Sequence, residues 1–154
     1  MNTTNDDSRC PKRDLVNEVI AASGAQPADN VTIAGTEHLE ILIELIRCGF
    51  SHVLCRSADH GPRMAAPPAD ILIAPNVKSE ADLRTVLTRL GRDLRPRGLL
   101  VLSHAQNCSS FNERHLRRLL TEGGFTAVER IAEHGDVGTL WCAHKQAASL
   151  RRAA

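Results

Sequence analysis

The chain is poor in aromatic residues. Only 3% of its 154 residues are Phe, Trp or Tyr, with Trp141 the single tryptophan and no tyrosine. Proteins that hold single-stranded nucleic acid stack bases on aromatic rings, and this chain lacks such a platform. It also lacks an excess of one charge: 19 basic and 18 acidic residues leave a net charge of +1. No electrostatic case for nucleic acid or an acidic membrane surface follows from that balance. The basic clusters "RHLRR" and "LRRAA" read as solvated helix faces. The opening "MNTTNDDSRCPKR" is polar, with neither a signal-peptide core nor a membrane anchor. Cysteines are not in pairs. Cys10, Cys48, Cys55, Cys108 and Cys142 are odd in number and none stand in CxxC spacing, which points to reduced thiols in a cytoplasmic protein.

What is present is ordinary for a globular chain: 42% hydrophobic and 24% charged residues, in a length that suits one compact domain. Residues 1–12 read as a disordered arm, 13–146 as the domain and 147–154 as a frayed tail. There is no internal repeat and no low-complexity segment. "RDLVNEVIAASG" sets Leu15, Val16, Val19 and Ile20 on one helical face, and Gly24 closes it. From Val31 the pattern alternates. "VTIAG" predicts a strand, and the helix after it carries Leu39, Leu42, Ile43 and Ile46 as one apolar stripe ending at Gly49. "SHVLCR" predicts a second strand, and the Gly- and Pro-containing stretch 57–68 a loop.

"ADILIAP" is a continuous apolar run, as in the strands of a parallel sheet covered on both faces. Ser79 and Asp82 form a capping box ahead of a helix with Leu83, Val86, Leu87 and Leu90 on one side. "RPRG" turns into the strand "LLVLSH". A second capping box, Ser110 to Glu113, opens a helix with Leu116, Leu119 and Leu120, ending at Gly123-Gly124. "FTAVERIAEHG" and "GTLWCAHK" predict two strands paired antiparallel. Alternating strands and helices imply right-handed βαβ units. Ligands of such sheets bind beyond the carboxyl ends of the strands, at the topological switch point.

The stretch from Ala69 to Lys145 resembles the class I S-adenosylmethionine (SAM)-dependent methyltransferase superfamily. "ADILIAPNVKSEADLRTVLTRLGRDLRPRGLLVLS" is similar to that family's fourth strand, helix and fifth strand, with a leucine-arginine-proline-x-glycine turn at Leu94 to Gly98. "LRRLLTEGGFTAVERI" and "GTLWCAHK" are similar to its last helix-to-strand junction and closing strand. The resemblance implies a three-layer, Rossmann-like α/β fold with a shortened, mostly parallel sheet and an antiparallel C-terminal pair. It implies cofactor contacts at Gly35, Thr36 and Glu37 after the first strand and at Arg56, Ser57 and Asp59 after the second. Asn76 lies where methyltransferases acting on amino groups hold the acceptor nitrogen. The motif there reads "APNVK", and a loop or capping Asn explains it as well. Asp70 corresponds to a family aspartate whose role is structural.

Three departures fall on the cofactor half. The family loop has several glycines, because the backbone must turn and approach the ligand without a Cβ in the way; here only Gly35 matches. The acidic residue expected after the second strand to accept the ribose hydroxyls is replaced by "CRS". Two lost hydrogen bonds to a charged acceptor, each worth about 1.5–3 kcal/mol, weaken binding by roughly a hundredfold or more. The family's third strand and its helix have no counterpart between Arg56 and Ala69. The expected function is therefore that of a methyltransferase-like protein with a reduced SAM site, either a weak or specialised enzyme acting on a small-molecule or protein acceptor, or a degenerate homologue.

Two other classes remain open. A non-catalytic module would keep the fold for its surface, and the truncated sheet edge would need cover from a homodimer or a partner protein. A metal-binding protein would use His38, Cys55, His60, His104 and Cys108, which all follow strand ends. The same residues allow a nucleophilic Cys55 or Cys108 beside His60 or His104. Cys48, at the end of a helix, and Cys142, beside Trp141, read as core.

Overall fold

The computed structural model describes residues 11–35, 38–57, 67–104, 112–134 and 138–147. Strands β1 (Asn30–Ala34), β2 (His52–Arg56), β3 (Ala69–Val77), β4 (Leu94–His104), β5 (Phe125–His134) and β6 (Gly138–Lys145) form one sheet in the order β2-β1-β3-β4-β6-β5. β1 pairs parallel with β2 and β3, and β3 pairs parallel with β4. β6 lies antiparallel between β4 and β5. Four helices accompany the sheet: α1 (Pro11–Ser23), α2 (Leu39–Arg47), α3 (Glu80–Arg89) and α4 (Glu113–Glu122).

The central strands β1, β3 and β4 carry apolar residues on both faces because both are covered. Val31, Ile33, Ile71, Ile73 and Val101 pack with Leu15, Val16 and Val19 of α1 and Ile41 and Leu45 of α2. The alternate positions Ala34, Leu72, Ala74, Leu100 and Leu102 pack with Leu83 of α3 and Leu116, Leu119 and Leu120 of α4. A two-residue strand period thus feeds two cores, which makes three layers. The helix faces read for α1, α3 and α4 are the buried ones.

The face read for α2 is not. Ile41 and Leu45 are each 1% exposed, whereas Leu39, Ile43 and Ile46 are 61%, 47% and 56% exposed. The helix is apolar almost all round, so periodicity cannot choose between its two stripes. Cys48, expected in the core, is exposed at the end of this helix, while Cys142 is buried as expected. The N-terminus of α4 also differs from its reading. Asn112, not Ser110, is the N-cap, its Oδ1 accepting the backbone N–H of His115 at 2.9 Å. Asn caps at least as well as Ser, and it is the residue immediately before the helix. At α3, Ser79 does cap, accepting from Asp82 N at 3.1 Å.

The Leu94–Gly98 turn is built into β4. Leu94 pairs with Ala69 and Leu99 with Ile71, so the intervening residues loop out as an irregularity, with Arg97 at φ +66. A Cβ on Gly98 would stand 2.7 Å from Leu94 Cδ1 and 2.8 Å from the Arg95 carbonyl oxygen, which explains the glycine. Asp70 fastens the base of three strands: its carboxylate accepts the Asn30 backbone N–H at 2.8 Å and faces Arg95 Nη1 at 2.9 Å. Lys145 donates to the carbonyl oxygens of Gly91 at 2.8 Å and Leu94 at 2.6 Å, anchoring the short turn before β4 to the end of β6.

Candidate functional site

The chain leaves β1 toward β2 on one side and returns to β3 on the other, so the switch point lies at the carboxyl ends of β1 and β3. A cleft of about 200 Å³ opens there. Its walls include Gly35, Ser57, Pro75, Asn76, Asp82 and Thr85.

Gly35 is at φ +103, a backbone region that L side chains rarely adopt. Its N–H donates to the Arg56 carbonyl oxygen at 2.7 Å, carrying the ladder between β1 and β2 into the turn. A Cβ there would also stand 3.2 Å from His38 Cδ2. The imidazole at the start of α2 therefore covers part of the space the glycine leaves. The bulge in β3 shapes the opposite wall. Ala74 pairs with Leu102 and Val77 with His104, so β3 holds one more residue than β4 across this interval. Asn76 takes the strain at φ +57, a conformation Asn tolerates better than most residues. Its N–H donates to the buried Ser103 hydroxyl at 2.6 Å.

Of the residues read as cofactor contacts, Gly35, Ser57 and Asn76 meet at this cleft. Arg56 is absent from its lining, and its guanidinium turns to Asp93, with Nη1 2.7 Å from Oδ2. Thr36, Glu37 and Asp59 lie outside the described residues. Asp82, Thr85 and Ser103 escaped the sequence reading. Asp82 carried a sufficient explanation as a cap, and indeed its Oδ2 also accepts the Lys78 N–H at 3.2 Å. Ser103, inside an apolar strand, gave no signal beyond being polar in a buried run.

Of the residues read as metal ligands, His38 precedes α2, Cys55 lies in β2 and His104 ends β4. His60 and Cys108 lie outside the described residues, and among those described no three His, Cys, Asp or Glu side chains are placed to hold a metal. Burial pushes the Cys55 thiol up from its ordinary value and pulls the His104 imidazole down. Each shift favours the neutral form. Two of the three arginines of "RHLRR" pair with acids of α4: Arg117 with Glu113 at 3.1 Å and Arg118 with Glu122 at 3.7 Å. Arg117 also lies 5.2 Å from the Trp141 ring centre. Among the described residues no helix is long and apolar enough to cross a membrane.

No protein-family model matches the chain, and no curated protein matches it in sequence. Solved structures do match in fold. Magnesium protoporphyrin IX methyltransferase from Synechocystis PCC 6803, with bound SAH, is 16% identical at a TM-score of 0.65, over 95% of this chain and 88% of that one. Human N-acetylserotonin methyltransferase in complex with SAM is 12% identical at 0.58, over 85% of this chain and 51% of that one. An O-methyltransferase family protein from Burkholderia thailandensis is 10% identical at 0.63, over 90% and 56%. The chain thus spans about half the length of the latter two. It has the fold of the class I SAM-dependent methyltransferases, with a six-stranded sheet among the described residues.

Proposed function

We propose that the chain is a methyltransferase-like protein with a reduced SAM site at the switch point between β1 and β3. The observation that carries this reading is the cleft where Gly35, Ser57, Asn76 and Asp82 meet at the carboxyl ends of those strands. Proteins of the same fold have been solved with SAM or SAH bound. Reduction follows from three features of the same region. The cleft, at about 200 Å³, is below the ~300–1,000 Å³ usual for small-molecule sites. Of the residues in "CRS" that stand in place of an acid, Arg56 is occupied by Asp93 and Ser57 offers only a hydroxyl to the cleft. Finally, β2 is the last strand on its side among the described residues. Methyl transfer depends mainly on proximity and in-line alignment. A general base is therefore not required for an acceptor that is already nucleophilic when brought into line with the cofactor.

Calorimetric titration with S-adenosylhomocysteine after chelator treatment tests the reading. We expect one-to-one binding with a Kd of roughly 100 μM, about a hundredfold weaker than a micromolar site. No heat up to about millimolar ligand, with the protein folded, overturns it. A second reading, a non-catalytic module that works through protein contacts, is favoured by the exposed apolar stripe of α2.

A further inference from the structure

Leu39, Ile43 and Ile46 stand at i, i+4 and i+7 of α2, one above another on a single helix face, and each is about half exposed or more. Exposed apolar residues scattered singly are normal on a protein surface. A contiguous row is not, and such rows mark contact sites. The opposite face, Ile41 and Leu45, already holds the helix to its core, so the row is surplus to folding. The stretches 1–10, 58–66, 105–111 and 148–154 each offer one large apolar side chain at most: Met1, Met64, Phe111 and Leu150. None of them carries an apolar set that matches three residues in a row. A surplus apolar row asks for a partner with an apolar row of its own.

The charges on α2 say which partner. Glu40 in the first turn and Arg47 in the last lie on the same flank of the apolar row, two turns apart. If a second α2 is laid antiparallel on the first, with a two-fold axis beside Ile43, each Glu40 meets the other copy's Arg47. The surface is then self-complementary, as an isologous interface requires. We propose that this face is a homodimer interface, with α2 of one copy packed antiparallel on α2 of a second copy. The spacing of four and three residues suits ridge-into-groove helix packing. Arg47 also bridges Glu44 of its own helix at 2.6 Å, with 70% of its side chain exposed. An exposed pair of this kind contributes little and leaves the guanidinium free to bridge across the interface. One nine-residue helix makes an area below the ~800 Å² per partner of a standard interface, so the dimer is reversible and weak.

Sedimentation of the full chain across about 1–500 μM measures the dissociation constant directly. We expect a concentration-dependent dimer. Ile43→Glu raises the dissociation constant at least ~30-fold by burying an unpaired charge at the axis. Glu40→Arg raises it several-fold, and Glu40→Arg combined with Arg47→Glu restores it. All three positions are on the surface, and circular dichroism confirms that each variant is folded. A monomer at every concentration overturns the proposal. So does a dimer indifferent to Ile43→Glu, or a charge exchange that does not restore association. The result is independent of the SAM reading, because none of these residues lines the cleft.

Discussion

The guanidinium of Arg56 lies 2.7 Å from the carboxylate of Asp93, and this pair takes Arg56 away from the cleft at the ends of β1 and β3. The next residue, Ser57, is the one that lines it. Strand β2 ends at Arg56, as its sequence predicts, and the first residue beyond it faces the cleft. The side chain at that place is a hydroxyl rather than the acid that would hold a ribose.

Ser57→Asp is therefore expected to strengthen the site. A carboxylate at this position accepts hydrogen bonds from a ribose diol, each worth about 1.5–3 kcal/mol when the acceptor is charged. Allowing for side-chain ordering, S-adenosylhomocysteine should bind about tenfold more tightly. Arg56→Asp should give no such gain, because that side chain leads to Asp93 instead. Calorimetry of the two variants decides it. Equal or weaker binding in Ser57→Asp would place the ribose elsewhere.

How legible was this arrangement beforehand? The strands were, because β-branched apolar runs such as "DILIA" have one reading when both sheet faces are covered. The antiparallel pair after α4 was, because two strands follow one another with no helix between them. The buried face of α2 was not, since six of its nine residues are Leu or Ile and both stripes fit. The cleft was half legible. Gly35 and Ser57 follow the ends of β1 and β2, Asn76 lies next to the last residue of β3, and the topology rule points there. Asp82 and Thr85 arrive from a helix whose direction across the sheet is set by packing of Leu83 and Leu90, not by local sequence. The Asn76–Ser103 bond joins residues 27 positions apart and leaves no trace in either neighbourhood.

Gly98→Ala should destabilise the protein. The added methyl would lie 2.8 Å from the Arg95 carbonyl oxygen, a backbone atom that cannot rotate aside. Relief requires moving the Leu94–Gly98 turn, whose ends are fixed by pairing to Ala69 and Ile71. Overpacking of this sort costs about 1–3 kcal/mol. Urea denaturation should show a lower midpoint at an unchanged slope. Gly24→Ala serves as a comparison, since its Cβ meets nothing within 4 Å and only its positive φ opposes the change. A Gly98→Ala midpoint equal to wild type would mean that the turn is free to shift.

Acidification should weaken the fold through His104. Burial holds its imidazole below the ordinary 6.5. Between the lowered folded value and 6.5 the unfolded chain binds a proton that the folded chain does not, so stability falls as pH drops through this window. Glu80 acts in a separate range. Its hydrogen bond from His115, then that from Arg84, holds the carboxyl below 4.5, and its contribution is lost only at more acidic pH. Denaturation midpoints at pH 7.5 and 5.5 should differ, and His104→Gln should narrow the difference. An unchanged difference in the variant would assign the pH dependence to another histidine.

The cysteines should react in order of exposure rather than of activation. Cys48 is exposed, Cys55 half-buried and Cys142 buried. Burial raises the thiol pKa of Cys55, and burial followed by the charge of Glu129 raises that of Cys142. A nucleophilic cysteine needs the opposite, a pKa lowered by neighbouring positive charge, because the thiolate is the reactive form. Among the described cysteines, brief alkylation with iodoacetamide at pH 7, read by peptide mass mapping, should label Cys48 before Cys55. Cys142 should be labelled only after unfolding. Were Cys55 to react faster than Cys48 in the folded protein, its thiolate would have to be stabilised by a group that outweighs burial. The nucleophilic reading of the β2 end would then displace the one based on cofactor binding.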